Sequence, residues 1–371
     1  MSTILSRLQA KTDFKSLRIK QLLALPDLTR TDGSPLKFLI DAIVNLRRFD
    51  DFDVINVPEI VSVRNNFDLL NTPPDHPSRR ETDTYYVEKD WILRTHTTVM
   101  WPYYLSEENM KKLETEGEIG ALCYGKVYRK DEIDRSHYPA FHQIDGLYIC
   151  RKDKKIIGIP ELTKVLVDIV KNIYGADIEY KISKDAFPFT DPSIEIVIKW
   201  ENQWLEMVGA GVVHKQVLKN LGIDPLVYNG WAFGFGLERL AMIKMEIPDI
   251  RIFWSTDKRI TSQFKDLNSR FREISKYPMT YRDISFIVDK DTNLNNYYEI
   301  IRDCAGDLVE EVSLLDQYEN KEKFGENKIS YTFHIVYRSN ERTLTNDEVD
   351  KIQGLIEIRT KQELNASVRS K

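Results

Sequence analysis

Gly125–Ile149, GKVYRKDEIDRSHYPAFHQIDGLYI, is the stretch that decides how this chain reads. Its first part, GKVYRKD, and its last, AFHQIDGLYI, both read as strands, and the polar Asp134–Pro139 between them reads as a connecting loop, which makes a long antiparallel hairpin. Residues two apart on a strand share a face, so Arg129 projects with Asp131, and Phe141 with Gln143 and Asp145. One face then carries a guanidinium, carboxylates, an amide and an aromatic ring, groups that are rarely buried unless paired or bound. Such a face suits an anionic phosphate, a planar base and an ammonium group together. The alternation alone also fits a solvated hairpin, and the rest of the chain has to decide.

The 371 residues leave room for a large core and a second domain. No apolar run approaches the ~20 residues of a membrane span, so a soluble protein with no membrane partner is expected. Cys123, Cys150 and Cys304 are scattered, with no CxxC and no His at ligand spacing, and read as reduced cysteines of an intracellular protein. The net charge of −5 sits entirely in the tail: from Tyr277 onward there are 13 Lys+Arg against 18 Asp+Glu, and the remainder balances. Any RNA binding must therefore use local patches rather than bulk charge. Met1–Lys20 holds Arg7, Lys11, Lys15, Arg18 and Lys20 against Asp13 alone. It reads as an amphipathic N-terminal helix of a cytoplasmic protein or, alternatively, as a transit segment for the mitochondrial matrix.

Outward from the hairpin, Ser34-Pro35 opens a helix with an apolar stripe at Leu36, Leu39, Ile40, Ile43 and Leu46, and Asp53–Val63 reads as a strand broken at Pro58. Asp83–Val87 and Trp91–Thr98 are further strands, the second placing His96 and Thr98 on one face; read alone, that pair also fits a strand edge. Ser106–Glu116 and Pro160–Gly175 read as helices, the latter apolar at Leu162, Val165, Leu166, Ile169, Val170 and Ile173. Phe187 and Phe189 flank a proline before strands at Ser193–Trp200 and Trp204–Gly209, and their rings suit either core packing or a pocket wall. In Gly230–Met242 a glycine-punctuated strand runs into a helix with Arg239 near its start, an arrangement that favours an anion. These elements make an α+β fold around an antiparallel sheet. Asp257–Lys276, polar and helical in pattern, reads as a linker, and the β-α-β-β-α order from Asp283 to the last helix is ferredoxin-like, with Thr345 and Glu348 as a capping box. The expected division is a helical segment over 1–33, one domain over 34–256, the linker over 257–276 and the small domain over 277–371.

Taken in order, DHPSR at Asp75–Arg79, RTHTT at Arg94–Thr98, VYRKDEIDRSHYPAFHQIDG, FPFTDP and GWAFGFGLERLAMI resemble motifs of the class II aminoacyl-tRNA synthetases. Within them the chain is similar to the single-chain phenylalanyl branch also found in mitochondria. YPMTYRDISFIVD, GDLVEEVSLLDQY and YRSNERTLTNDEV resemble that branch's ferredoxin-fold anticodon-binding domain. The resemblance implies activation of phenylalanine by ATP with magnesium, transfer to the 2′-OH of the terminal adenosine of tRNA(Phe), and a monomeric enzyme. It also implies roles. Arg129 would hold the α-phosphate, Arg239 the γ-phosphate and the adenine face, Phe141 would stack on adenine beside Asp131, and His137 would contact phosphate. His96, Thr98, Gln143 and Asp145 would gather the ammonium and carboxylate of phenylalanine, with Phe187 and Phe189 against its ring and Ala232 as the pocket floor. Relatives usually carry Ser at Thr98, and bacterial ones Glu at Asp145. Asp191 stands where bacterial relatives bind a metal, and Arg338 and Arg342, beside Tyr337, are candidates for contacting tRNA.

Overall fold

The computed structural model describes residues 2–273 and 277–369, so Ile274–Lys276, the end of the expected linker, lies outside the described residues. The chain divides into two units. The first gathers the chain up to Arg129, Ala140–Pro248 and Ile252–Phe271, and the second Lys130–Pro139, Asp249–Arg251 and the chain from Arg272 on.

Strands of the first unit are β1 (Asp53–Ile55), β2 (Ile60–Ser62), β3 (Tyr86–Glu88), β4 (Trp91–Leu93), β5 (Glu118–Tyr128), β6 (Ala140–Arg151), β7 (Tyr180–Phe187), β8 (Thr190–Trp200), β9 (Gln203–Val213) and β10 (Tyr228–Gly236). Its helices are α1 (Ser2–Ala10), α2 (Phe14–Ala24), α3 (Pro35–Val44), α4 (Met100–Tyr104), α5 (Glu107–Glu116), α6 (Ile159–Tyr174), α7 (Lys215–Asn220), α8 (Leu237–Met245) and α9 (Lys258–Thr261). Seven strands form one sheet in the order β1-β5-β6-β10-β9-β8-β7, antiparallel except where β1 runs parallel to β5. A small sheet, β2-β4-β3, stands apart.

Side chains of opposite parity go to opposite faces of the large sheet. Ile119, Ala121, Cys123, Leu147, Ile149 and Ala232 pack with residues of α4, α5 and α7. The other face carries Trp231, Phe233 and Phe235, whose rings follow one another at 5.7 Å, and α3, α6 and α8 pack on that side. Glycine is required at Gly146, where a Cβ would lie 2.4 Å from the Phe233 ring. The helices end where their sequences say: Ser34 accepts the Leu36 N–H to start α3, and Gly175, at φ +109°, closes α6.

Several expectations need correction. The hairpin is real, but β5 stops at Tyr128, so Arg129 and Asp131 lie beyond the strand and no strand periodicity holds them on one face. The last pair is Tyr128 with Ala140, and the next residue back, Pro139, has no N–H to extend the ladder. Likewise β4 ends at Leu93 rather than Thr98. The Thr95 N–H is taken by the side chain of Asn66 at 3.3 Å, which replaces a strand partner, and Thr97–Val99 turns into a 3₁₀ helix. β7 was not foreseen. Between 257 and 273 only Lys258–Thr261 is α-helical, not the whole polar stretch.

The second unit holds β11 (Thr280–Asp289), α10 (Asn295–Ala305), β12 (Val309–Tyr318), α11 (Lys321–Phe324), β13 (Lys328–Tyr337), α12 (Asn346–Glu363) and β14 (Ser367–Arg369), with sheet order β12-β13-β11-β14. The Thr345–Glu348 capping box is present at the start of α12. Ile284, Phe286, Tyr297, Phe333, Ile335, Val349 and Ile356 make the core, joined by Ile133 from the hairpin loop. The Ile133 carbonyl accepts the Val312 N–H at 3.0 Å. Among the described residues no helix is long and apolar enough to cross a membrane.

Candidate active site

The polar end of the sheet is laid out in rows by strand register. One row runs Cys123, Asp145, Gly234, Gly209, Glu195, and the adjacent row on the same face runs Ala121, Leu147, Ala232, Gly211, Ser193. Glycines beside Asp145 leave a floor without side chains, flanked by carboxylates at Asp145 and Glu195. Asp145 is 3% exposed, and its carboxylate accepts the hydroxyl of Thr97 at 2.9 Å and that of Thr98 at 3.1 and 3.2 Å. Burial pushes its pKa up to about 7, against the pull of the two threonine hydrogen bonds and of Arg129 and Arg94. Gln143, two residues earlier on β6, accepts the Thr97 N–H through Oε1 at 3.3 Å.

An aromatic wall adjoins this floor. Phe187 and Phe189 lie parallel at 5.9 Å, and Phe189 meets His96 at 6.0 Å and Trp101 at 6.0 Å. Phe187 can lie down on the sheet because residue 209 is glycine, where a Cβ would come within 2.6 Å of its ring. His96 is held neutral: burial first, then the Arg129 charge, lower its pKa to about 3. Its Nδ1 is buried with no hydrogen-bond partner among the described residues. Ala232, 4% exposed, sits between Leu147 and Gly211 as a small-residue step in the floor.

At the other end stand the cations. Arg129 anchors Nε on the Thr95 carbonyl at 3.0 Å, with its guanidinium 5.2 Å from the Phe141 ring centre. Arg239 is exposed in the first turn of α8, whose N-cap is Gly236, and the helix N-terminus adds partial positive charge. A buried Asp, a neutral imidazole and an aromatic wall at one end, with guanidiniums at the other, can hold an aromatic amino acid against a polyphosphate.

Comparison with known proteins agrees. The pattern of the tRNA synthetases class II core domain (F) matches residues 23–264, and that of the ferredoxin-fold anticodon binding domain matches residues 275–369. The chain is 39% identical over 358 residues to the chloroplastic/mitochondrial phenylalanine–tRNA ligase of Arabidopsis thaliana, covering 92% of this chain and 80% of the relative. It is 36% identical to the mitochondrial phenylalanine–tRNA ligase of Dictyostelium discoideum, with 86% and 78% covered, and 35% identical to the probable mitochondrial phenylalanine–tRNA ligase of Drosophila melanogaster, with 86% and 79% covered. The chain belongs to the phenylalanine–tRNA ligase family of class II aminoacyl-tRNA synthetases.

For a synthetase of this family the first unit brings together Arg129, Phe141, His96, Thr98, Gln143, Asp145, Phe187, Phe189 and Ala232, with Arg239 on the helix that follows β10. Asp131 and His137 belong to the second unit. Asp131 accepts the Glu132 N–H at 2.9 Å, and His137 bonds Asp134 at 2.7 Å, a contact that raises its pKa. Asp191 is exposed, and no group of three metal-binding side chains occurs among the described residues. The pKa of Glu195 is raised by burial and by the crowding carboxylates of Glu206 and Asp185. In the second unit Arg338 lies 2.9 Å from Glu310, and Arg342 lies 2.7 Å from Glu348. Tyr337 is fully buried with its hydroxyl on Gln353, so it cannot offer a ring to a base.

Sequence reasoning missed Thr97 and Glu195. Thr97 was hidden by strand periodicity, since it falls between His96 and Thr98. Glu195 had a signal: in SIEIVIKW it is the acidic residue, set between Ile194 and Ile196 in a largely apolar run.

Asp145 makes a pH prediction. A substrate ammonium pairs with the ionised carboxylate, so below about pH 7 binding must first remove a proton. The KM for phenylalanine is expected to rise about tenfold per unit as pH falls below 7, and a flat profile from pH 5.5 to 8 would refute the assignment. For the unliganded fold the sign is reversed. A carboxyl whose folded pKa lies above its unfolded value of 3.8 contributes stability at low pH that is lost as pH rises through 7.

Proposed function

We propose that this chain activates L-phenylalanine with ATP to phenylalanyl-adenylate and transfers it to the 2′-OH of the terminal adenosine of tRNA(Phe). The observation that carries the reading is the buried Asp145, held by Thr97 and Thr98 on a glycine floor beside the parallel Phe187 and Phe189 rings. Asp145 takes the ammonium group, Thr98 and Gln143 orient it, His96 faces the carboxylate end, and the phenyl ring lies against Phe187 and Phe189 above Ala232. Arg129 neutralises the α-phosphate, while Arg239 and Phe141 bracket the base and hold the tail of the nucleotide.

In the first step the substrate's carboxylate oxygen forms a bond to the α-phosphorus as the bond to the bridging oxygen of pyrophosphate breaks. The chain needs no nucleophile of its own, and its contribution is alignment and fixed positive charge. Magnesium would supply further charge on the phosphates. In the second step the tRNA hydroxyl attacks the activated carbonyl, loses its proton and releases AMP. The acidic C-terminal domain reads the anticodon through a few local contacts, for which Arg338 and Arg342 remain candidates.

Pyrophosphate exchange with each of the twenty amino acids, followed by charging of tRNA(Phe), tests the reading. Exchange confined to phenylalanine, with charging, supports it; exchange without charging would point to a ligase with another acceptor. The chain is proposed to act as a monomer, checked by analytical ultracentrifugation. The relatives are named as mitochondrial or chloroplastic/mitochondrial enzymes, which supports the mitochondrial alternative over the cytoplasmic expectation, and localisation of the tagged chain decides.

Ala232→Gly supplies a specificity test. Removing the methyl deepens the floor between Leu147 and Gly211, so para-chlorophenylalanine is expected to gain about tenfold or more in kcat/KM relative to phenylalanine. Unchanged selectivity would count against Ala232 as the floor.

A further inference from the structure

Beside the two groups assigned to the nucleotide lies a buried hydrogen-bond chain that the chemistry does not use. Glu238, 3% exposed, precedes Arg239 on α8, and the fully buried His142 lies between Phe141 and Gln143 on β6. Both Glu238 carboxylate oxygens accept the backbone N–H of His142, at 3.0 and 2.9 Å, and Oε1 lies 2.7 Å from the ring Nδ1. On the far side of the ring, Nε2 is 3.1 Å from the backbone nitrogen of Leu28. A backbone N–H can only donate, so Nε2 is the unprotonated nitrogen and Nδ1 carries the proton given to Glu238. Trp254 covers the ring at 5.5 Å.

Leu28 lies in the segment that leaves α2, an N-terminal strap, and this segment is fastened a second time. Lys126 on β5, buried, donates Nζ to the carbonyls of Leu23 at 3.1 Å and Leu25 at 2.6 Å. A carboxylate and an imidazole are costly to bury, and an apolar pair would pack this site without that cost. What the polar chain supplies is direction: it fixes the first turn of α8 to one residue of β6 and that residue to the strap.

We propose that Glu238 and His142 are positioning residues that set the gap between Phe141 and Arg239, each of which is next in sequence to one of them, and so set the fit of the nucleotide base. The inference rests on the ATP-dependent reading above. The polarity of the chain makes a sharp variant available. Glu238→Gln cannot satisfy both donors of His142: with its oxygen kept on Nδ1–H the amide NH₂ confronts the His142 backbone N–H, and flipped it forces the ring proton onto Nε2 against the Leu28 N–H, so either way donor meets donor.

In pyrophosphate exchange, Glu238→Gln is expected to raise the KM for ATP about tenfold or more while the KM for phenylalanine stays within about twofold. A carboxylate that merely supports the fold would raise both KM values or lower kcat alone, and either result, like an unchanged KM for ATP, overturns the proposal. His142→Phe keeps the ring volume beside Trp254 and is expected to give the same ATP-only change. On the wild type, hydrogen exchange at the Leu28 and His142 amides is expected to slow on adding ATP and not on adding phenylalanine; unchanged rates with ATP also overturn the proposal. Wild-type protein that exchanges pyrophosphate with no amino acid refutes the activity reading, whereas exchange with normal ATP dependence in Glu238→Gln refutes only the positioning role.

Discussion

Gly234→Ala is expected to reduce phenylalanine-dependent pyrophosphate exchange by about 10²–10³-fold, the scale of losing a preorganised charged contact. The reason is space and not backbone conformation, since residue 234 is not among the glycines with positive φ. A Cβ at this position would lie 2.2 Å from Asp145 Oδ1 and 2.8 Å from Oδ2, closer than such atoms approach. Asp145 cannot swing aside without surrendering Thr97 and Thr98, and a buried carboxylate without hydrogen bonds protonates instead. Either outcome removes the anion that pairs with the substrate ammonium. Overpacking of this kind costs ~1–3 kcal/mol of stability, so the protein should still fold, with the defect in the KM for phenylalanine and the KM for ATP little changed. Exchange within about tenfold of wild type would mean that Asp145 does not receive the ammonium group.

How far the residues alone could be read is clearest at this same place. The β6 half of the hairpin was legible, because Phe141, Gln143 and Asp145 sit at strand spacing on a strand that exists, and period two puts them on one face. The α8 end was legible because glycines followed by an apolar helix pattern leave few other foldings. The failures come where a side chain takes over the work of the ladder. Asn66 accepts the Thr95 N–H, which ends β4 early and rolls Thr97 in beside Thr98, and no local pattern in RTHTT announces a partner 29 residues away. Pro139 ends the β5–β6 pairing, which carries Asp131 and His137 out of the strands and into the second unit, whose core takes up Ile133. The glycine floor was equally hidden. Gly209 and Gly234 matter only because they are cross-strand partners of one another and, through Gly234, of Asp145.

Arg129→Ala is expected to lower kcat/KM for adenylate formation by about 10²–10³-fold, and Arg129→Lys to recover little of it. Arg129 is preorganised: Nε is spent on the Thr95 carbonyl and the guanidinium rests near the Phe141 ring, which fixes where its planar charge lies. A lysine has one charged nitrogen and cannot keep the carbonyl anchor while meeting the phosphate in the same geometry. The arginine also acts on its neighbours without touching them. Its charge lowers the pKa of both Asp145 and His96, so it helps keep the amino-acid carboxylate ionised and the imidazole neutral. Without it the Asp145 pKa moves further above 7, and the pH below which the KM for phenylalanine climbs is expected to shift to higher values in Arg129→Ala. The alkaline shift separates two roles that a single rate cannot: a residue acting only on phosphate would lower kcat/KM at every pH and leave the phenylalanine profile where it was. Measuring the KM for phenylalanine from pH 6 to 9 in both proteins decides between them, and coincident profiles would confine Arg129 to the nucleotide.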